Sequence, residues 1–515
     1  MRKLSLLFLS IFLILFVISP LVSAEEDADT LVFAQNETIN TRIPYKSTGS
    51  GFSTTARIFY SGLFRRDVET GEPTGDVAKD YEISEDGKTW TVHLREGVQW
   101  HHDYGELTAE DVHFTFDAHI NEEIESVHEG QFWMLDEVEI VDDYTVKFHL
   151  NAPFGGFIYN LTLMHPAWGA IMCKDAYEEL GPEGYEETPI GSGPYKWMPE
   201  EYVPRDHAIF EAFDDYFMDK PEIEKVEVRI ISDEATIAQG VEGGEIDYTG
   251  FYNVQLWEDY VDKEGVEGDT ITPPNIQKLD LNTKKSPFDK VQVRKAIAYG
   301  IDKQAINQVM MGGRGIVPDT TIFHPDMIHI ETEPFEDRGF DPEKASELLA
   351  EVDMEPADID AEFITYGNTY YQNLADLVTT SLHEAGFVNI DVTPLERGTL
   401  SERRPEPETD GVIITHPRWP DPDPFLALLE GDAIPPDGIN FTWWDKADDL
   451  IEKSRHTTDE ERQEVMTEIQ HLLTEEVPQV PLLHPAYARL WRERVKGPKP
   501  VVNDFRPDLL RIEEE

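Results

Sequence analysis

The chain has 515 residues, of which 43 are Lys or Arg and 103 are Asp or Glu, giving a formal charge of −60. With 40% hydrophobic residues, and with 26 Phe, 19 Tyr and 10 Trp spread along it, this is a folded protein with material for roughly two to four lobes, not an acidic disordered tail. The acidic excess excludes nucleic acid as a partner, because such binders need Lys and Arg to replace phosphate counterions, and it argues against an anionic membrane surface.

In chain order, Arg2 and Lys3 precede an apolar run from Leu4 to Ile18, then Pro20 and Val22-Ser23-Ala24. This predicts a secretory signal over residues 1–24, cleaved after Ala24, with a retained anchor as the alternative. Glu25 and Glu26 follow, and the only Cys is Cys173, so a lipoprotein is not expected and no internal disulfide can form. Tyr81 and Ile83 with Trp90, Val92 and Leu94 alternate with polar residues around Asp86-Gly87, as do Val138 and Ile140 with Val146, Phe148 and Leu150 around Asp142-Asp143. Each pair reads as a hairpin of half-buried antiparallel strands. Between them Thr108-Ala-Glu-Asp111 opens a helix carrying Val112, Phe116 and Ile120.

The second half alternates strands and helices. A helix follows Asp289, with Val293, Ala296, Ile297 and Ile301 on one face, and Gly312-Gly313 end the helical region. Asp341-Pro342-Glu343 opens another, with Leu348 and Leu349 inward. Ala361 to Tyr366, Tyr370 to Ala385 capped by Gly386, and Val388 to Thr393 form a β-α-β unit, the building block of a mostly parallel sheet. A last helix, from about Glu460 to Leu473, buries Met466, Ile469, Leu472 and Leu473.

Motifs for catalysis are missing. Glu82 stands where a phosphate loop before Gly87-Lys88-Thr89 needs glycine. Gly191-Ser192-Gly193 has the wrong spacing for a nucleophile elbow and reads as a rigid turn. His383-Glu384 lacks the second His of a zincin, and no calcium loop occurs. His101-His102-Asp103 has metal-ligand residue types, but neighbours on an extended segment point apart, so a surface or loop role is expected. His165, His324, His416 and His484 each precede Pro and read as loop ends. No metal and no cofactor are expected. The dispersed acids instead predict a halophilic source, since self-repulsion at this density destabilises a compact state while molar salt shortens the Debye length to roughly 3 Å.

The order of segments carries a resemblance. Gly62-Leu63-Phe64, Ala78 through Val98, Leu107-Thr-Ala-Glu-Asp-Val112, Pro189-Ile-Gly-Ser-Gly-Pro-Tyr195, Leu281-Asn-Thr-Lys-Lys-Ser-Pro-Phe288, Val291 to Asp302 and Asp421-Pro-Asp-Pro-Phe425 resemble the extracytoplasmic solute-binding proteins of ABC transporters in the oligopeptide, dipeptide and nickel group. The likeness covers nearly all of the chain beyond residue 24. It implies an α/β, two-lobed periplasmic-binding-protein clamshell: lobe one over about 27–275 plus 486–515, with an extra mostly antiparallel subdomain at about 61–188, and lobe two over 276–485. It implies a monomeric, non-enzymatic receptor in the periplasm or at the cell surface, closing over a peptide and handing it to membrane permease subunits. The rivals are a receptor for a small carboxylate or chelated metal and, from another class, a secreted hydrolase.

Peptide-binding members of this group use an Asp shortly after a lobe-two strand to hold the ligand amine, a few residues before a D-P motif. Here Gly411-Val-Ile-Ile-Thr415 is followed by His416-Pro-Arg418-Trp419-Pro-Asp421-Pro422. One register puts Arg418 at that position, which replaces the carboxylate by a cation and favours a ligand carboxylate. A shift of three residues puts Asp421 there. Trp419 lies just beyond the strand end, where open α/β sheets bind ligands, and Tyr45 is the matching position from lobe one. The expected ligand-binding residues are therefore Tyr45, His416, Arg418, Trp419 and Asp421, with no catalytic residue.

Overall fold

The structure is a computed structural model that describes residues 29–513 except 48, 68–71, 122, 164–166, 252, 328, 333–334, 337, 417–420, 437, 458 and 500–504. The proposed signal sequence lies outside the described residues. Among the described residues no helix is long and apolar enough to cross a membrane.

Two sheets form the two lobes. The first has seven strands in the order Val266–Ile271, Tyr487–Arg492, Tyr248–Phe251, Thr30–Gln35, Lys225–Ile230, His207–Ala212, Tyr195–Trp197. Thr30–Gln35 runs parallel to both of its neighbours, and its continuous Leu-Val-Phe-Ala run suits a strand covered on both faces. The second sheet has five strands in the order Asn389–Leu395, Asp360–Tyr366, Gly411–His416, Ile276–Leu281, Gln479–Leu483. The chain passes between the sheets twice, through residues 272–275 and 484–486. Two such crossings suit a hinge, because only a few backbone torsions need change for the lobes to rotate.

The β-α-β unit is present as read: Asp360–Tyr366 and Asn389–Leu395 are parallel, joined by the helix Thr369–Glu384 that buries Leu374, Val378 and Leu382. Gly386 has φ +93°, a conformation glycine adopts without strain. The helical region after Asp289 is two helices, Val291–Tyr299 and Lys303–Met311. Lys290, not Asp289, precedes the first, and Asp302 caps the second by accepting from Ala305 N at 2.8 Å. The break at residues 300–302 turns the chain while keeping Val293, Ala296, Ile297 and Ile301 buried.

Both hairpins join one antiparallel sheet in the order Ala78–Ile83, Thr89–Leu94, Thr145–Leu150, Leu135–Asp142. Half-burial holds for the two central strands, which alternate strictly, and fails at the edges. Tyr81 is 39% exposed, Ile83 47% and Ile140 43%. The covering helix Ala109–Ile120, closed at its start by a Thr108–Asp111 capping box, stacks Phe116 edge-on against Phe148 of a central strand at 5.2 Å, and the edge residues project beyond it.

Gly191-Ser-Gly193 has a packing role. A Cβ on Gly191 would stand 1.8 Å from the Phe59 carbonyl oxygen, and one on Gly193 2.6 Å from the carbonyl carbon, so only glycine lets this segment press on the end of helix Ser50–Phe59. His101 completes the contact, its buried ring 2.9 Å from the Gly193 carbonyl. Burial pushes its pKa down to about 3. The His102 ring lies 6.4 Å away at 85°, and among the described residues no group of three or more His, Cys, Asp or Glu is arranged to hold a metal.

Candidate ligand-binding cleft

The cleft is built where elements of both lobes begin or end. Strand Thr30–Gln35 runs out into Asn36 and Glu37, strand Gly411–His416 brings Thr415, and the crossings contribute Asn275 and Pro485, with Gln277 just inside the first. Three helices start at the same place. Their N-caps are Asp233, Asn253 and Asn368, which accept from Thr236 N at 2.8 Å, Leu256 N at 3.1 Å and Tyr371 N at 3.1 Å. Each cap satisfies end N–H groups of its own helix, so the caps are structural, and residues of the first helical turns, Glu234, Gln255, Tyr370 and Tyr371, form the wall. Together these residues enclose a cavity of about 860 Å³, within the range of small-molecule and cofactor sites.

The wall is held by its own bonds. Tyr371 Oη donates to Thr415 Oγ1 at 2.6 Å, Gln277 Nε2 donates to Tyr370 Oη, and Asn36 Nδ2 donates to Glu234 Oε1 at 3.2 Å. The lobes touch beside it: Gln255 Nε2 of lobe one donates to Val309 O of lobe two at 2.5 Å, and Glu258 pairs with Arg314, whose guanidinium lies 5.1 Å from the Trp257 ring centre. The carboxylates on the wall are Glu37, Glu234 and Asp376. Burial raises the pKa of Glu234, with Asp233 adding to the shift and the Asn36 amide opposing it.

A second cavity, of about 520 Å³, is lined by residues of the antiparallel subdomain and of lobe two. Asp421 is on its wall, but its carboxylate is bound at both oxygens by Arg462, 2.8 Å each, and Oδ1 also accepts from Asp423 N at 2.8 Å. Both partners are nearly fully buried. Next to this pair Arg455 is held by Asp423 at 2.7 Å and by Glu430, and its guanidinium sits 4.5 Å from the ring centre of Trp133 in the subdomain.

The structure therefore separates the expected site residues. Asp421 faces Arg462 and not the hinge-side cavity. Tyr45, in the short turn Pro44–Lys46, is 5% exposed and its Oη lies 2.7 Å from Tyr177 Oη; it packs into lobe one, because Asn36 and Glu37 already occupy the strand exit. Of His416 the backbone alone is described, ending its strand opposite Ile276. Its side chain, and Arg418 and Trp419 entirely, lie outside the described residues, as does His165. His324 and His484 are buried edge to face, rings 4.9 Å apart, and His484 Nδ1 lies 2.6 Å from Asn275 O, bracing one crossing against the other. The wall residues that sequence reasoning missed, Glu234, Gln277, Tyr370 and Tyr371, did leave a signal in part. Asp233 and Asn368 are recognisable helix caps, and helix starts at sheet ends are where α/β folds place ligands.

Comparison with known proteins agrees with this geometry. A family model described as "Bacterial extracellular solute-binding proteins, family 5 Middle" matches residues 72–435. The dipeptide-binding protein of Escherichia coli K12 is 28% identical over 508 residues, 92% of this chain and 93% of that protein. Heme-binding protein A of Haemophilus influenzae is 27% identical over 478 residues, covering 87% and 86%. Among solved structures, the ABC transporter-associated periplasmic binding protein DppA of Helicobacter pylori, in complex with the peptide STSA, superposes with a TM-score of 0.80 at 25% identity, covering 94% of this chain and 98% of that one. The family match takes in the whole antiparallel sheet and four of the five strands of the second sheet, so the chain belongs to the family 5 extracellular solute-binding proteins.

Proposed function

We propose that this protein is the peptide receptor of an ABC importer: exported by residues 1–24, binding without turnover, and presenting its closed form to permease subunits. Lobe one comprises about 27–275 and 486–515, and lobe two 276–485. The observation that carries this reading is the 860 Å³ cavity at the two crossings, walled by amide, hydroxyl and carboxylate groups drawn from both lobes. A ligand that touches both walls favours closure by its differential affinity for the closed form. The dipeptide-binding relative and the peptide complex support peptide as cargo.

In this reading His416, Arg418 and Trp419 contact the ligand, because their loop continues from Thr415 on the cavity wall. Asp421 and Tyr45 position the surrounding structure. The test is mass spectrometry of what the protein, purified in high salt with no added ligand, releases on denaturation. A ladder of short peptides supports the reading. A single organic acid or metal chelate overturns it in favour of the carboxylate or chelate receptor, with Arg418 and His416 the first residues to substitute. Turnover of peptide or ester substrates by the purified protein favours the hydrolase.

A further inference from the structure

The segment that leaves helix Lys303–Met311 of lobe two is seated on the hinge itself. Gly312 and Gly313, at φ +57° and +81°, turn the chain out of the helix. The Asn307 side chain then clasps Gly315, its Oδ1 accepting from Gly315 N and its Nδ2 donating to Gly315 O, each at 2.9 Å. Ile316 N–H donates to His484 O at 3.0 Å and His484 N–H to Ile316 O at 2.9 Å, so the segment lies against the second crossing. On the first crossing Thr272 Oγ1 donates to Arg314 O at 3.4 Å. The backbone around Arg314 is thus fixed to lobe two and to both crossings, while its guanidinium reaches lobe one. There it pairs with Glu258 of helix Val254–Tyr260 and stands 5.1 Å from the Trp257 ring centre. Gly312 makes the room: a Cβ there would stand 2.8 Å from an Arg314 guanidinium nitrogen and 3.2 Å from Glu258 Oε1.

The pair belongs to the conformation that encloses the hinge-side cavity. Gln255 and Val309 line that cavity from opposite lobes and are bonded to each other at 2.5 Å. Glu258 follows Gln255 by three positions, on the same side of its helix. Arg314, Glu258 and Trp257 are not themselves on the cavity wall. A contact between lobes that is made in one conformation favours that conformation whatever fills the cavity. We infer that Arg314 is a positioning residue for ligand capture: with Glu258 and Trp257 it forms a latch, carried on the hinge, that holds the lobes closed without touching the ligand. This rests on the peptide-receptor reading above, in which closure retains the ligand.

The test uses the full exported chain at one fixed salt concentration. A library of di- to pentapeptides is screened by thermal shift, and the tightest member is titrated calorimetrically against wild type, Arg314→Gln, Glu258→Gln and the double variant. Arg314→Gln is expected to weaken binding about 3- to 10-fold, through faster dissociation, because it removes an exposed ion pair and a cation–ring contact together. Glu258→Gln is expected to weaken it about 2- to 4-fold. The double variant is expected to lose no more than Arg314→Gln, since both changes act through one contact. The two side chains are 35% and 44% exposed, so urea unfolding midpoints are expected to match wild type. Peptide affinity that Arg314→Gln leaves unchanged, or losses that add in the double variant, overturn the latch and leave the peptide reading standing. A urea midpoint that falls together with the affinity makes Arg314 a residue of the fold and overturns the latch as well. Failure of every peptide to bind wild type overturns the peptide reading and this inference with it.

Discussion

The two interlobe cavities handle negative charge in opposite ways. Beside the second cavity Arg462 and Arg455 hold the buried Asp421 and Asp423 with two nitrogens each, and Arg455 also pairs with the partly exposed Glu430. At the hinge end Glu234 accepts from the Asn36 amide, and no lysine or arginine lies on the described wall. Matched charge makes a fixed contact: Arg455 is held from behind by two carboxylates and lies over Trp133 across the interface. Unmatched charge leaves room for a solute. The difference teaches that acidity alone does not mark the binding site in this chain; what marks it is acceptor capacity that the protein does not use itself.

The largest expected effect comes from treating the whole surface as unmatched charge. At −60, reducing salt from molar to about 0.1 M lengthens the Debye length from roughly 3 to 10 Å, and self-repulsion grows accordingly. The melting temperature is expected to rise steadily with KCl; a flat or falling dependence sinks the halophilic reading. The matched pair tests the other half of the comparison. Arg462→Leu leaves Asp421 buried and uncompensated and is expected to cost about 3–5 kcal/mol in urea unfolding, while the double variant Asp421→Leu/Arg462→Leu recovers most of that loss. If both variants are equally destabilised, the pair's role is packing and not charge compensation.

Acid sharpens the contrast further. Burial holds His101, His119 and His484 down to about 3 and His128 to about 4, against carbonyl hydrogen bonds that oppose the shift. The unfolded chain protonates these rings near 6.5 while the folded protein does not, so the stability they contribute is complete above that pH and falls as pH drops towards the folded values. Each ring adds roughly 1.4 kcal/mol per pH unit to that slope. The buried carboxyls Asp76 and Asp111, raised by burial, act in the opposite sense as the pH falls. Urea unfolding between pH 6.5 and 4.5 is expected to show a slope shallower by about 1.4 kcal/mol per unit in His119→Gln than in wild type. Equal slopes would place the His119 proton elsewhere.

The smallest effect concerns the latch between subdomain and lobe two. Trp133→Ala removes the ring under Arg455, an interaction of about 0.5–2 kcal/mol. Trp133 is 38% exposed, so melting is expected to change little. Because the contact joins the subdomain to lobe two, the loss is expected as a several-fold weaker ligand affinity through a less favoured closed form. An unchanged affinity with a lowered melting temperature would make Trp133 a fold residue only.

Much of the fold was legible along the chain, because the relevant forces act over short stretches. The period-2 pattern of Thr89–Leu94 and Thr145–Leu150, the caps at Thr108 and Asp341, and the succession of strand, helix and strand from 360 to 395 each lie within a few dozen residues. The edge strands show where this stops. Ile83 and Ile140 follow the same alternation as the central strands, yet burial depends on what covers them. Strand Ile276–Leu281 shows it from the other side. It carries the polar Gln277, Lys278 and Asp280, yet all six residues are buried, with Lys278 paired to Asp280 and Gln479 Nε2 donating to the same carboxylate at 2.9 Å.

By itself the sequence determined the acidic, aromatic-bearing folded chain, the alternation of strands and helices, the local caps and the ordered motifs of its family. It could not show that Asp421 is claimed by Arg462, 41 positions away, or that Tyr370, 93 positions from Gln277, orients that amide in the cavity wall. Whether an acid is a ligand group or half of an ion pair is decided by what stands within about 3 Å of it. In a chain with this many carboxylates, only the tertiary structure supplies that neighbour.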